Sequence, residues 1–270
     1  MTEHKLGDLI ATGRTAEVFA LEGRPDLVVK LFFPGFESNA AKEFGISQLL
    51  SRLGIAAPTA SETVVIDGRA GMVLQRVDGP SLLDLISKRP WATRSIGRTL
   101  AELHLAMHTA PGEGLPRLAD ILEKQITNSD ILDAAERDAA LALLRALPDG
   151  DRLCHGDFHP GNILVGDKGP VTIDWTNVSC GPPLADLAKT TLLVRGGAPP
   201  RLSLPMKVVL KVIRAVLLSS YFRRYDELEE VNRAELRRWV TVVAAARLSE
   251  KIPEERDYLI SVARKGLSSG

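Results

Sequence analysis

The dipeptide Asp67-Gly68 constrains this chain more than any other short feature. It lies inside "TVVIDGRAGMVLQ", between two runs of strand-forming residues. Asp-Gly supplies two consecutive positions that tolerate positive φ, which a two-residue turn between right-twisted antiparallel strands demands. The first part of the chain must therefore hold an antiparallel sheet. Upstream, "GDLIATGRTAEVFAL" and "DLVVKLFF" read as strand segments, with "LEGRPD" as the turn between them. "SNAAKEFGISQLLSRLG" reads as a helix set among the strands, opened by Ser38 or Asn39 as N-cap and closed by Gly54. Ile46, Leu49, Leu50 and Leu53 form its apolar stripe.

Past Gln75 the pattern changes to helices. "TRSIGRTLAELHLAMH" places Leu100, Leu103 and Met107 on one face, and helical patterns recur around residues 133–147 and 206–250. Within the last of these, "MKVVLKVIRAVLLSSYF" carries Lys207, Lys211 and Arg214, which makes it too charged for a membrane span. It reads as a helix with a buried face. A second hairpin interrupts the helices, with "NILV" and "VTID" flanking "GDKGP". The expected fold class is α+β, with a β-rich N-terminal lobe over residues 1–75 and a helical C-terminal lobe over residues 76–270.

Charge narrows the function classes. Lysine plus arginine and aspartate plus glutamate each total 34, so the formal net charge is zero. A nucleic-acid binder usually carries a basic excess, and none is expected here. The start, "MTEHKLGDLI", shows no basic region followed by an apolar one, so no signal peptide is expected. Two cysteines, Cys154 and Cys180, make no disulfide framework, and the expected compartment is the reducing cytoplasm.

The densest chemistry is "CHGDFHPGNIL", Cys154 to Leu164. In a hairpin, the residue that starts the first strand lies beside the residue that ends the second. With strands ~4.8 Å apart, Asn162 and Asp174 should meet at the open end. An amide oxygen and a carboxylate there suit a hard cation such as Mg²⁺. Asp157, in the preceding loop, can accept a proton from an incoming hydroxyl. Turn polarity alone would account for any one of these residues. The spacing His155-x-Asp157-x-His159 also fits zinc, although His4, His104 and His108 offer no second ordered motif. His155 reads as a packed histidine, Cys154 as buried and inert, and Trp175 as a core anchor. The acidic run Asp226, Glu227, Glu229 and Glu230 reads as a solvated helix face.

"HGDFHPGN" fits the pattern His-x-Asp-x-x-x-x-Asn of protein kinases, and "IDW" stands where they have Asp-Phe-Gly. With "GPPLADLAK" following, the chain resembles the aminoglycoside phosphotransferase and choline kinase family of the protein-kinase-like superfamily, over roughly residues 9–189. The resemblance implies a two-lobed fold with ATP in the cleft. It makes Asp157 the catalytic base, Asn162 and Asp174 the Mg²⁺ ligands, and Lys30 the holder of the α- and β-phosphates. Glu43 would be the helix partner of Lys30, and it does share a helical face with Ile46 and Leu50. Backbone groups from Gln75 to Val77 would read the adenine. His159 falls where protein kinases keep a lysine near the γ-phosphate, and Asp186 would brace the catalytic loop. The glycine-rich loop aligns with "ATGRTA", where Gly13 survives and Thr15 adds a hydroxyl. The implied activity is transfer of the ATP γ-phosphate to a hydroxyl of a small molecule, of aminoglycoside, amino-sugar or choline type, by a monomer or homodimer. Asp226 to Glu230 and Glu250 would favour a cationic acceptor. A protein serine/threonine kinase is the alternative, but "TNVSCGPPLADLA" stands where an Ala-Pro-Glu segment would be. A pseudokinase interaction module is the other alternative, and the intact Asp157, Asn162 and Asp174 argue against it.

Overall fold

The structure, a computed structural model, describes residues 4–196 and 202–268. It forms two compact units. The first runs to Leu83 and takes in Gly161–Thr176; the second comprises Asp84–Pro160 and the chain from Asn177.

The first unit opens with β1 (Leu6–Thr12), β2 (Ala16–Leu21), β3 (Arg24–Phe32), α1 (Ser38–Arg52), β4 (Ala60–Ile66) and β5 (Arg69–Gln75). The strands form one antiparallel sheet in the order β1-β2-β3-β5-β4. Asp67 and Gly68 both take positive φ at the β4–β5 turn, as that turn demands. "GDLIATGRTAEVFAL" forms two strands, because the Gly13 N–H donates to Ala16 O (2.8 Å) and turns the chain back. The N-cap of α1 is Glu37, one residue before Ser38, and it makes no side-chain capping bond. Its carboxylate instead accepts the Gly35 N–H (2.9 Å), which keeps it from the helix end.

Side chains alternate faces along a strand, so Lys30 and Phe32 share one face of β3 while Val29 and Leu31 take the other. Phe32 packs with Ala16, Ala60, Met72 and Ala40 of α1; Val29 and Leu31 pack with Leu21 and Val73. Lys30 therefore lies on the side that α1 covers.

Downstream come α2 (Leu82–Lys88), α3 (Thr93–His108), α4 (Leu118–Thr127), α5 (Ala134–Arg145), β6 (Arg152–Cys154), β7 (Ile163–Gly166), β8 (Gly169–Thr172) and β9 (Ser179–Gly181). Then follow α6 (Pro183–Arg195), α7 (Leu204–Leu228), α8 (Arg233–Arg247) and α9 (Pro253–Leu267). The β7–β8 hairpin turns on Asp167 and Lys168 alone, since Gly166 and Gly169 already pair. It groups with the first unit through backbone bonds, Val165 N to Pro80 O (3.0 Å) and Thr172 N to Ala56 O (2.9 Å). Gly79, at φ +150°, permits this approach, because a Cβ there would collide with Val165 O. The compact first unit thus extends past residue 75 and recovers the second hairpin.

In the second unit α8 is buried from Thr241 to Arg247 and packs against α4, α5, α6 and α9. Residues 242–246 of α8 are apolar on every side, and such a segment belongs inside a bundle. α7 departs from its expected buried face. Only its second half is covered, at Leu217, Leu218, Ser220, Tyr221 and Tyr225. Leu204 is 79% exposed and Val208 62%, with Met206, Val209 and Val212 also in solvent. The apolar residues wind around this half of the helix, and no single neighbour could cover them all. Among the described residues, no helix is long and apolar enough to cross a membrane.

Candidate active site

The first unit gathers an ion pair and the hairpin end into one network. Lys30 Nζ donates to Glu43 Oε2 at 2.6 Å, with both side chains mostly buried. Glu43 reaches it because Glu43, Ile46 and Leu50 share the buried face of α1. The other Glu43 oxygen, Oε1, lies 3.1 Å from Thr176 Oγ1, and Thr176 Oγ1 lies 2.8 Å from Asp174 Oδ1. Lys30, Glu43, Thr176 and Asp174 therefore form one continuous chain of polar contacts.

At the hairpin, Ile163 pairs with Thr172, and the Ile173 N–H donates to Asn162 O (2.9 Å), extending the ladder by one step. Asn162 and Asp174 therefore flank the open end. Asp174 leaves the strand at φ +61°, a left-handed conformation that costs about 1–2 kcal/mol for most residues and less for aspartate. Trp175 beside it is buried, its indole N–H donating to Thr172 O (2.9 Å), which is the anchoring expected of it. Gly13 and Thr15 sit in the β1–β2 turn, where Thr15 O accepts the Phe33 N–H (2.9 Å). Gln75 ends β5, its N–H bonded to Thr59 O (2.9 Å), and Val77 lies against Gly166.

In the second unit Asp157 and His159 are partly exposed on the loop that follows β6. Asp186, in the first turn of α6, braces that loop. Its Oδ2 accepts the His155 N–H (2.7 Å) and its Oδ1 the Gly156 N–H (3.0 Å). The Asp157 N–H donates to His155 Nδ1 (3.1 Å), which leaves the fully buried His155 ring its proton on Nε2. Gly156 sits at φ +74°, and a Cβ would strike Asn177 O, so only glycine fits this turn. Phe158 is buried beneath it, and its carbonyl accepts the Thr190 hydroxyl (2.9 Å).

Behind Asp186 lies a paired relay that sequence reading missed. His104 Nε2 is 3.0 Å and His108 Nε2 3.4 Å from Asp186 Oδ2. Their Nδ1 atoms are 2.6 Å from Tyr221 Oη and 2.9 Å from Tyr225 Oη. With each tyrosine donating to Nδ1, each imidazole donates from Nε2, and four N–H groups converge on one carboxylate. Burial opposes its charge, but His104 and His108 hold the Asp186 carboxyl well below the usual range. Burial, then the neighbouring His108, lower His104 to about 3, so both the anion and the neutral ring persist at neutral pH. His104, His108 and Asp186 bring ligand-type atoms within 4.8 Å, but each of these imidazole nitrogens already faces Asp186 in a hydrogen bond. The available signal was a pair of i, i+4 repeats, His104/His108 and Tyr221/Tyr225. Thr176 was also missed, and no sequence pattern marks it.

Cys154 is buried, and burial pushes its thiol well above the ordinary range, consistent with an inert packing residue. The acidic run is largely committed to other partners. Asp226 pairs with Arg233 and accepts the Val231 N–H (3.0 Å), and Glu227 pairs with Arg224 (3.1 Å) and Arg98 (3.4 Å). Glu250 pairs with Lys189 (3.4 Å) and Arg247 (3.3 Å).

The family model described as "Phosphotransferase enzyme family" matches residues 8–208. No curated protein sequence matches the chain significantly. Among solved structures, the type VIII aminoglycoside-3'-phosphotransferase is 23% identical, with TM-score 0.60, covering 92% of this chain and 93% of its own. A thermostable mutant of aminoglycoside phosphotransferase APH(4)-Ia, in ternary complex with AMP-PNP and hygromycin B, is 16% identical, with TM-score 0.63 and coverage of 98% and 92%. An APH(2")-type enzyme with GDP and kanamycin is 16% identical, with TM-score 0.56 and coverage of 97% and 93%. At these identities the likeness shows a shared α+β, kinase-like fold, the class expected from the sequence.

Proposed function

The chain belongs to the phosphotransferase enzyme family, and from that membership we propose that it transfers the γ-phosphate of ATP to a hydroxyl of a small molecule. The observation that carries this reading is the contact chain Lys30–Glu43–Thr176–Asp174, which brings a cation and a candidate metal ligand into one network. Lys30, held by Glu43, clamps the α- and β-phosphates. Gly13 and Thr15 line the phosphate turn, the backbone from Gln75 to Val77 meets the base, and His159 contacts the γ-phosphate. The amide oxygen of Asn162 and the carboxylate of Asp174 are hard oxygen ligands, a set that fits Mg²⁺. Bound there, Mg²⁺ supplies neutralisation of the phosphate oxygens.

Asp157 takes the proton of the acceptor hydroxyl as its oxygen bonds to the γ-phosphorus and the bond to the β-phosphate oxygen breaks. Asp186 holds the backbone at His155 and Gly156, and so sets the direction from which the Asp157 carboxylate acts. This is positioning and charge stabilisation, the two things phosphoryl transfer asks of a protein. A cytoplasmic location, where Mg²⁺-ATP is present and both cysteines stay reduced, suits the reading. Of the acidic run, Glu229 and Glu230 remain as candidates for attracting a cationic acceptor.

The test is release of ADP from Mg²⁺-ATP with and without a panel of aminoglycosides, amino alcohols and neutral sugars, with the phosphorylated product weighed by mass spectrometry. Acceptor-dependent ADP release is expected with ATP, and GTP is run in parallel with GDP release as its readout. Failure of every acceptor, together with no binding of either nucleotide, would overturn the reading.

A further inference from the structure

The second unit contains a groove of about 1100 Å³ with α7 as its floor, bounded by Arg195 at the end of α6 and Tyr258 of α9. Its apolar surface comes from Leu210, Leu218, Phe222 and the Tyr258 ring. Arg195, Lys207, Lys211, Arg214 and Arg223 also line it. Lys207, Lys211 and Arg214 follow one another by four and three residues, so a single helical stripe presents all three.

The carboxylates in the lining do not balance these charges. Asp226 is bound by Arg233, and Glu227 by Arg224 and Arg98. The arginines are also drawn together. Arg214 Nη1 donates to Arg195 O (3.0 Å), and the Tyr258 hydroxyl feels the charges of Arg195, Arg214 and Arg247. Arg247 lies behind the lining and is already paired with Glu250 (3.3 Å) and Glu255 (2.6 Å), so the excess charge belongs to Arg195, Lys207, Lys211, Arg214 and Arg223. Partial burial pulls the Arg214 guanidinium below its usual pKa. Like charges gathered on a partly desolvated surface repel one another, and an anion relieves that repulsion.

We propose that this groove binds an amphipathic organic anion, with a phosphate, sulfonate or carboxylate head on an apolar body. The cations would hold the head, and Leu210, Leu218, Phe222 and Tyr258 the body. No lining residue is among those assigned to phosphoryl transfer, so this proposal stands independently of that reading. The exposed Leu204, Val208 and Val212 on the same helix make an anionic lipid surface the rival occupant, and charge alone does not separate the two.

The experiment uses the full chain and the fluorescent probe 8-anilinonaphthalene-1-sulfonate. Saturable binding is expected, displaced by monomeric octyl phosphate and not by octylammonium. Lys207→Glu combined with Lys211→Glu changes two exposed side chains and should raise the probe's Kd about tenfold or more. The melting curve of that variant and its response to Mg²⁺-ATP should match the parent. Lys211→Glu alone should show a smaller shift in the same direction, and it serves as the reading if the double variant misfolds. The proposal fails if there is no saturable binding, if the variants bind like the parent, or if octylammonium displaces equally well. Displacement by phosphatidylglycerol vesicles with no effect of octyl phosphate would assign the surface to lipid and overturn it too.

Discussion

Thr176 Oγ1 carries one hydrogen, yet it lies 3.1 Å from Glu43 Oε1 and 2.8 Å from Asp174 Oδ1. It can donate to only one carboxylate at a time, so it serves as a switchable link between the Lys30 clamp and the candidate metal ligand. When a cation neutralises Asp174, the hydroxyl is free to turn to Glu43. Thr176→Val keeps the shape and removes the proton, leaving two carboxylates facing without a donor. A hydrogen bond to a charged group contributes roughly 1.5–3 kcal/mol, so calorimetry should show Mg²⁺-ATP affinity weakened by about ten- to a hundredfold. Thr176→Ser should restore most of it; a valine variant that binds like the parent would leave the link without a role. The two aspartates separate in a second experiment. Asp157→Asn should keep Mg²⁺-ATP binding and lower turnover by ~10²–10⁴-fold, the usual cost of losing a general base. Asp174→Ala should weaken both. The opposite pattern would exchange the two roles.

At the scale of elements, α3 and α7 set the loop that carries Asp157. Each presents a pair of residues four apart, His104/His108 and Tyr221/Tyr225, and the pairs interlock behind Asp186. Gly97 of α3 allows the helices to approach, since a Cβ there would lie 2.7 Å from Leu217 O. The relay should mark the pH dependence of stability. Burial lowers His104 to about 3 in the folded chain, below its unfolded value. Between those two values the unfolded chain binds a proton that the folded chain refuses, so stability falls as pH drops below about 6.5. Asp186 is also depressed, but its contribution is lost only below the ordinary carboxylate range. Over the window from neutral pH down to about 5, the shift of His104 should cost roughly 2 kcal/mol. His104→Gln can still donate to Asp186 and accept from Tyr221 while gaining no charge. Urea midpoints at pH 7.5 and 5 should differ less in this variant than in the parent; equal acid losses would remove His104 from the account.

For the molecule as a whole, binding and stability are linked. A ligand that binds only the folded chain stabilises it by about 2.7 kcal/mol at one hundred times its Kd. For a chain of this length that is a rise in melting temperature on the order of 5 °C. Mg²⁺-ATP should produce it, and chelation of the metal should abolish most of it. An unshifted melting curve with saturating Mg²⁺-ATP would contradict the nucleotide reading at its base.

Local backbone physics made part of this protein legible in advance. Asp67-Gly68 had to turn, because its two residues accept positive φ where others do not. The period of two along β3 and the helical period of α1 put Lys30 and Glu43 on facing surfaces. The β7–β8 hairpin carried Asn162 and Asp174 to a common end. Each of these follows from residues only a few positions apart, or from a face fixed by simple repeats. Tertiary packing decided the rest. His104 meets Tyr221 across 117 residues, and Thr176 meets Glu43 across 133, distances over which no local pattern operates. The sequence of α7 promised burial, but burial depends on a partner, and α3 reaches only its second half. A sequence determines which face a side chain is on; only the packed chain determines what, if anything, stands opposite it.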